Sequence, residues 1–191
     1  MVGQLPQPRQ GLLGAWDKFV GPGMTVGETL LIFGASAGGA ALSSFHLFQL
    51  DRSLLQILLG ALMAFDVIGG AVCNCTETTK RWFHRPGLSA YDQLGFIAVH
   101  VFHIGLVAVF FCGRSIDIVY FGLTSCWLLI SAGITVFSPD RLKLPVAVSC
   151  FLVSLVLAFY VLTPTPGLEW FIPVLFVKLL IGHAVPPGAK L

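Results

Sequence analysis

The stretch DVIGGAVCNCTETTKRWFHRP, residues 66–86, carries Asp66, Asn74, Glu77, Arg81 and His84 along an otherwise apolar run. With Gly70 among them, these positions step by three or four and so share one face of a helix. His100 and His103 are three residues apart, which also makes them neighbours on a helix, and Lys178 stands alone inside the last apolar run. Carboxylate and imidazole are the side chains that most readily move protons, and imidazoles with a carboxylate also suit zinc or iron. The expected site is therefore Asp66 as acid or base, His100 and His103 as proton relays or as ligands of a zinc or iron ion, and Asn74 and Glu77 orienting them. Lys178, Arg81, His84 and Glu28 are the candidates to hold a substrate.

Several of these residues also have plainer roles. Glu28 with Thr25 fits a capping box, and Lys80, Arg81 and Arg85 suit anchors that meet lipid phosphate. Asp66 and Lys178 can staple two helices as an ion pair, and the lysine alone can snorkel to the interface. A hydrogen-bonded histidine pair needs no chemistry to explain it.

What makes these groups worth attention is the background. The chain has 191 residues, 56% of them hydrophobic and 10% charged, with a mean hydropathy of +0.88; soluble domains average roughly 25% charged residues. Such a composition belongs in a membrane, where a charge at the bilayer centre costs about 2.5–3.5 kcal/mol and needs a partner, water or a purpose. A net charge of +2 without a long basic tract argues against nucleic acid as a partner. The five cysteines fall in or beside apolar runs and read as free thiols; Cys73 and Cys75 lack the two-residue spacer of redox and zinc motifs. No P-loop, GxGxxG or HExxH pattern is present.

A hydrocarbon core needs about 20 apolar residues per helix. Runs at 28–50, 53–76, 92–112, 116–137, 142–163 and 168–184 qualify, the last being short. The expectation is an all-α integral membrane bundle of six transmembrane helices spanning 25–184, with 1–24 a cytosolic or interfacial segment and 185–191 a cytosolic tail. The N-terminal segment lacks the apolar core of a cleavable signal peptide and is expected to be kept. Thr25/Glu28 and Ser89/Asp92 fit capping boxes, and Ser138 before Pro139 an N-cap with proline at the first helical position. Residues 34–44, rich in Gly, Ala and Ser, allow close helix packing.

Nine basic residues (Arg9, Lys18, Lys80, Arg81, Arg85, Arg141, Lys143, Lys178, Lys190) fall at or toward one side of such a bundle, against Arg52 and Arg114 on the other. By the positive-inside rule both termini are then cytosolic. Trp16, Trp82 and Trp170 fit interfacial anchors, and LLGAWDKF suits a helix lying on the cytosolic surface.

Matching span midpoints brings Asp66, His103 and Lys178 to similar depth. Counting back from Pro86-Gly87, with the second and third spans as a hairpin, sets the histidines opposite Asn74 instead. The registers differ by about 10 Å at 1.5 Å per residue, and the first is preferred because the second shortens the third span too far. Outward of this level LLQILLGALMAF, IGLVAVFFC and FIPVLFV carry no charge; only His46 is ionisable there.

The sequence thus favours an enzyme of a cell (inner) membrane, with a cytosol-facing intramembrane cleft and acid-base or metal-assisted chemistry on a lipid-like or isoprenoid-like substrate. Its partners would be membrane lipids and a hydrophobic small molecule. A proton-coupled carrier or channel subunit is the alternative, and a structural or assembly subunit the third reading.

Overall fold

The computed structural model describes residues 6–113 and 115–188. Arg114 and Lys190, used in the charge count, lie outside the described residues. The elements are α1 (Gly11–Val20), α2 (Val26–Gln49), α3 (Leu54–Cys75), α4 (Glu77–Phe83), α5 (Ala90–Val99), α6 (Val101–Phe110), α7 (Ile118–Phe137), α8 (Asp140–Tyr160) and α9 (Phe171–Phe176). A π-helical segment, Val177–His183, continues α9, and no strand occurs among the described residues.

Among the described residues five helices are long and apolar enough to cross a membrane: α2, α3, the joined pair α5 and α6, α7 and α8. Leu30, Phe48, Leu62, Phe102 and Tyr160 are exposed on their outer faces, an arrangement suited to lipid. The chain is a helical, multi-pass membrane protein. The sixth apolar run differs from the others. Phe171–His183 is too short to count with them, and it is enclosed: Phe171, Leu175, Phe176, Leu179 and Leu180 are at most 1% exposed. Its hydrophobicity serves the interior, because α3, α7 and α8 pack around it.

The ends are set locally. Thr25 with Glu28, Ser53 with Gln56 and Ser89 with Asp92 form reciprocal capping boxes, two of them expected from the sequence. The expected cap at Ser138 is absent: Pro139 is the N-cap, and the Ser138 hydroxyl donates back to the Ile134 carbonyl at 2.7 Å. A serine that satisfies the end of one helix cannot also cap the next.

The helical face expected from Asp66 through His84 is broken. Thr76 turns to an extended ψ of 148°, ends α3 and caps α4 by accepting from Thr79 N at 3.2 Å. Everything beyond it leaves the face of Asp66. The second and third spans do not pair as a close hairpin: α3 packs on α2 and on the π-helical segment, α5 packs on α7, and α3 and α5 are not closely packed. The space between them is where the polar groups lie.

Candidate functional site

Asp66 sits a little past the middle of α3 and has two partners on one oxygen. Oδ2 accepts from Lys178 Nζ at 2.8 Å and from His103 Nε2 at 3.1 Å. Lys178 also reaches the Asp66 carbonyl at 3.3 Å, and its side chain is 4% exposed, so it is paired and does not snorkel. Gly70 makes the room: a Cβ there would stand 2.5 Å from Lys178 Cε and 2.8 Å from Nζ. Asn74, one turn further, donates from Nδ2 to the Lys178 carbonyl at 3.0 Å. It therefore holds the π-helical segment in the register that presents the lysine.

The two imidazoles are fixed by a helix break. His100 N donates to Ile97 O at 3.0 Å, a tight turn that ends α5 and leaves the Phe96 carbonyl without its helical donor. His100 Nδ1 fills the gap at 2.9 Å. A carbonyl only accepts, so Nδ1 carries the proton and Nε2 the lone pair. By the same logic His103, donating from Nε2 to the Asp66 carboxylate, has its lone pair on Nδ1, a buried atom with no partner among the described residues. The rings stack at 5.2 Å between centroids, 18° apart.

These groups line a cavity of about 400 Å³ between α3 and α5. Ile32, Phe33 and Ser36 of α2 form one wall, and Trp16, Phe19 and Val20 of α1 cover it. Phe19, Phe33, Phe65 and Val99 line the cavity and are also exposed on the apolar exterior, so its opening faces the surroundings of the bundle. Below Asp66 the interior is closed by Met63, Val67, Ile104 and Val107, each at most 2% exposed.

The cover α1 is tied down by polar contacts. Trp82 Nε1 donates to Lys18 O at 2.9 Å, Thr79 Oγ1 donates to Val20 O, and Trp16 stacks on Phe33 at 5.5 Å. Arg9 grips Asp17 through Nε at 2.8 Å, a terminal amine at 2.7 Å and its backbone N–H at 2.9 Å. The Arg9 guanidinium holds the Asp17 carboxyl down at about 2.

The remaining expected residues stand elsewhere. Glu77 and Arg81 pair with each other at 2.9 Å on the surface, since Thr76 has turned them away. Glu28 closes its capping box and accepts from Thr78 Oγ1 at 3.0 Å, joining α2 to α4. His84 donates from Nε2 to the His183 carbonyl at 2.8 Å, and burial pushes its pKa down. None of these lines the cavity, whereas Asp66, Asn74, His100, His103 and Lys178 all do.

The sequence reading overlooked two features. Lys80, taken as a lipid anchor, gives its ammonium to the Ile181, Gly182 and Val185 carbonyls at 2.7–2.8 Å and so caps the C-terminal helix. The α1 cover was read only as a surface helix.

Among the described residues no group of three or more His, Cys, Asp or Glu side chains is placed to hold a metal ion. Each of the two histidines gives one ring nitrogen to an oxygen acceptor, which leaves His100 Nε2 and His103 Nδ1 with the free lone pairs. No family model matches the chain, and neither does any curated protein or solved structure.

Proposed function

We propose that this protein is a membrane-embedded enzyme of the cell membrane that takes a lipid-like or isoprenoid-like molecule into the cavity between α3 and α5 and moves a proton on it. The C-terminal helix counts as the sixth segment of the bundle, and both termini lie on the cytosolic side with α1 and α4. The observation that carries this reading is the Asp66–His103 hydrogen bond beside an apolar cavity open to the exterior.

The chemistry follows from the proton positions. Lys178 holds Asp66 as a carboxylate, and Asp66 fixes the tautomer of His103. That leaves the His103 lone pair as a base, with the His100 ring stacked beside it. A Lys–Asp pair adds no net charge, so the reacting part of the substrate is neutral: a hydroxyl, or a carbon beside a carbonyl, that gives a proton to the His103 lone pair and takes one back from the resulting imidazolium. The apolar floor supports an enzyme over a carrier, because a carrier needs a polar route onward.

The test is substrate discovery by difference. Purified wild type, Asp66→Asn and His103→Ala are each incubated with a total lipid extract in nanodiscs, and the lipids are compared by mass spectrometry. A species converted by wild type alone supports the reading; identical profiles for all three overturn it. Elemental mass spectrometry on wild type and His103→Ala separates the metal-assisted variant, which requires about one zinc or iron per chain, lost on substitution.

A further inference from the structure

Resting on the reading of the cavity as a substrate site, we infer that the substrate is an amphiphile bearing a phosphate group, and that this group binds in a second, smaller cavity beside Arg85, Lys18 and Gln93. The second cavity, about 200 Å³, lies where α1, α4 and the start of α5 meet. Phe96 lines both cavities, and α1 reaches both, with Trp16 and Phe19 on one and Lys18 on the other. Phe96 is thus a wall common to both, and the proposal requires one elongated molecule to reach from one to the other past it.

The charge of the small cavity is unbalanced. The Arg85 guanidinium lies 3.7 Å over the Trp82 ring and donates to the Trp82 carbonyl at 2.6 Å, which fixes it in place without a carboxylate partner. Lys18 likewise has no ion pair among the described residues. Asp92, the acid in the lining, accepts from Ser89 N at 2.8 Å and Ser89 Oγ at 2.7 Å and keeps its negative charge. The lining thus holds two cations against one carboxylate, and one positive charge remains for an anion.

The buried polar atoms narrow the choice. His84 carries its proton on Nε2, so its Nδ1 must accept, and Gln93 Nε2 donates to it at 3.2 Å. This fixes the Gln93 amide and leaves its Oε1 buried with no donor among the described residues. His183, 3% exposed and stacked on Phe96 at 4.1 Å, has both ring nitrogens unpartnered. The site therefore asks for negative charge together with a hydroxyl donor. A phosphate monoester supplies both, since its second pKa is near 6 and part of it stays protonated at neutral pH; an ionised carboxylate supplies no donor.

Placing the phosphate here sets where the reaction falls. Gln93 on α5 and His103 on α6 are separated along the joined pair of helices by roughly 15 Å, at 1.5 Å per residue. The bond that changes lies well along the chain of the substrate, and the phosphate ester is a handle that stays intact.

The experiment compares three probes on detergent-purified protein by calorimetry: lysophosphatidic acid, the monoacylglycerol with the same chain, and inorganic phosphate. Wild type is expected to bind lysophosphatidic acid about tenfold more tightly than the monoacylglycerol. That preference should be lost in Arg85→Gln and in Lys18→Gln, which is exposed and safe for folding, and partly regained in Arg85→Lys. If inorganic phosphate alone also binds wild type and not Arg85→Gln, a free phosphate suffices; if only the lipid binds, the headgroup source is correct. Either result supports a phosphate site. Equal binding of the two amphiphiles by wild type, or a preference kept in both variants, overturns it. His103→Gln separates this from the catalytic reading, because it should abolish turnover while keeping the preference. A failed catalytic reading gives the preference without turnover, and a failed phosphate site gives His103-dependent turnover without the preference.

Discussion

Asp66 and Lys178, 112 residues apart in the chain, meet in a 2.8 Å ion pair that joins α3 to the enclosed C-terminal helix. With Lys178 almost wholly buried, the pair is asymmetric: the lysine depends on Asp66, while Asp66 also touches the cavity. Asp66→Asn strands the ammonium and should destabilise the protein by about 3–5 kcal/mol, nearer the lower figure because the cavity admits some relief. Asp66→Leu combined with Lys178→Met should cost less than either single change. Unfolding in mixed micelles measures the cycle, and strictly additive effects would remove the pair from the account.

Gly69 and Gly70 are adjacent yet should fail in different ways. The atoms nearest a Cβ at Gly70 are the end of the Lys178 side chain, so Gly70→Ala should displace the ammonium from Asp66, impairing turnover and losing stability only as far as the ammonium finds no other acceptor. A Cβ at Gly69 meets Ser36 Oγ and Cβ across the α2–α3 interface. Gly69→Ala should therefore destabilise by about 1–3 kcal/mol through overpacking. Paired unfolding and turnover measurements distinguish the two; matching defects in both variants would contradict these separate roles.

The five long helices and two of the capping boxes were legible because apolar run length and the Thr25/Glu28 and Ser89/Asp92 spacings are local signals. The depth of Asp66, His103 and Lys178 was legible for a related reason: bilayer thickness fixes levels without knowing helix order. The break at Thr76 was hidden within a polar stripe that looked continuous, although Thr76 before Glu77, with Thr79 three residues on, is an N-cap pattern. Nothing local reveals that Lys80 would cap carbonyls at 181, 182 and 185, or that the last run would be enclosed and wound as a π-helix. Those depend on which helices surround it. The cover formed by α1 was half legible, since Leu12, Leu13 and Phe19 mark an outward apolar face while the cavity beneath it is a tertiary fact.

The seating of α1 should depend on pH through Asp17. Its folded-state pKa is depressed, to about 2 from an ordinary 3.8, by the Arg9 guanidinium and backbone N–H. A depressed carboxyl contributes stability that is complete above the unfolded pKa and is lost as pH falls through the folded one. The α1 cover should thus stay seated at neutral pH and loosen between about pH 4 and pH 2. Emission from Trp16, with Trp127 and Trp170 changed to Phe and Trp82 kept because it ties α1 down, reports its contact with Phe33. Asp17→Asn should show the loosened signal at every pH, and an Asn variant that keeps the wild-type transition would assign it to another group.

The sharpest separation of structure from chemistry is at His103. Glutamine can still donate an N–H to Asp66, as the imidazole does at 3.1 Å, yet it has no titratable lone pair. If His103 only satisfies the buried carboxylate, His103→Gln should be close to silent. If its Nδ1 is the base, turnover of the species found by lipid comparison should fall by about 10²–10⁴ while unfolding changes little. His100→Gln provides the contrast, because its Nδ1–H serves the Phe96 carbonyl and its loss touches the helix break first. It should therefore lower stability along with turnover. A silent His103→Gln would leave Asp66, His103 and Lys178 as a structural knot and would end the enzymatic reading.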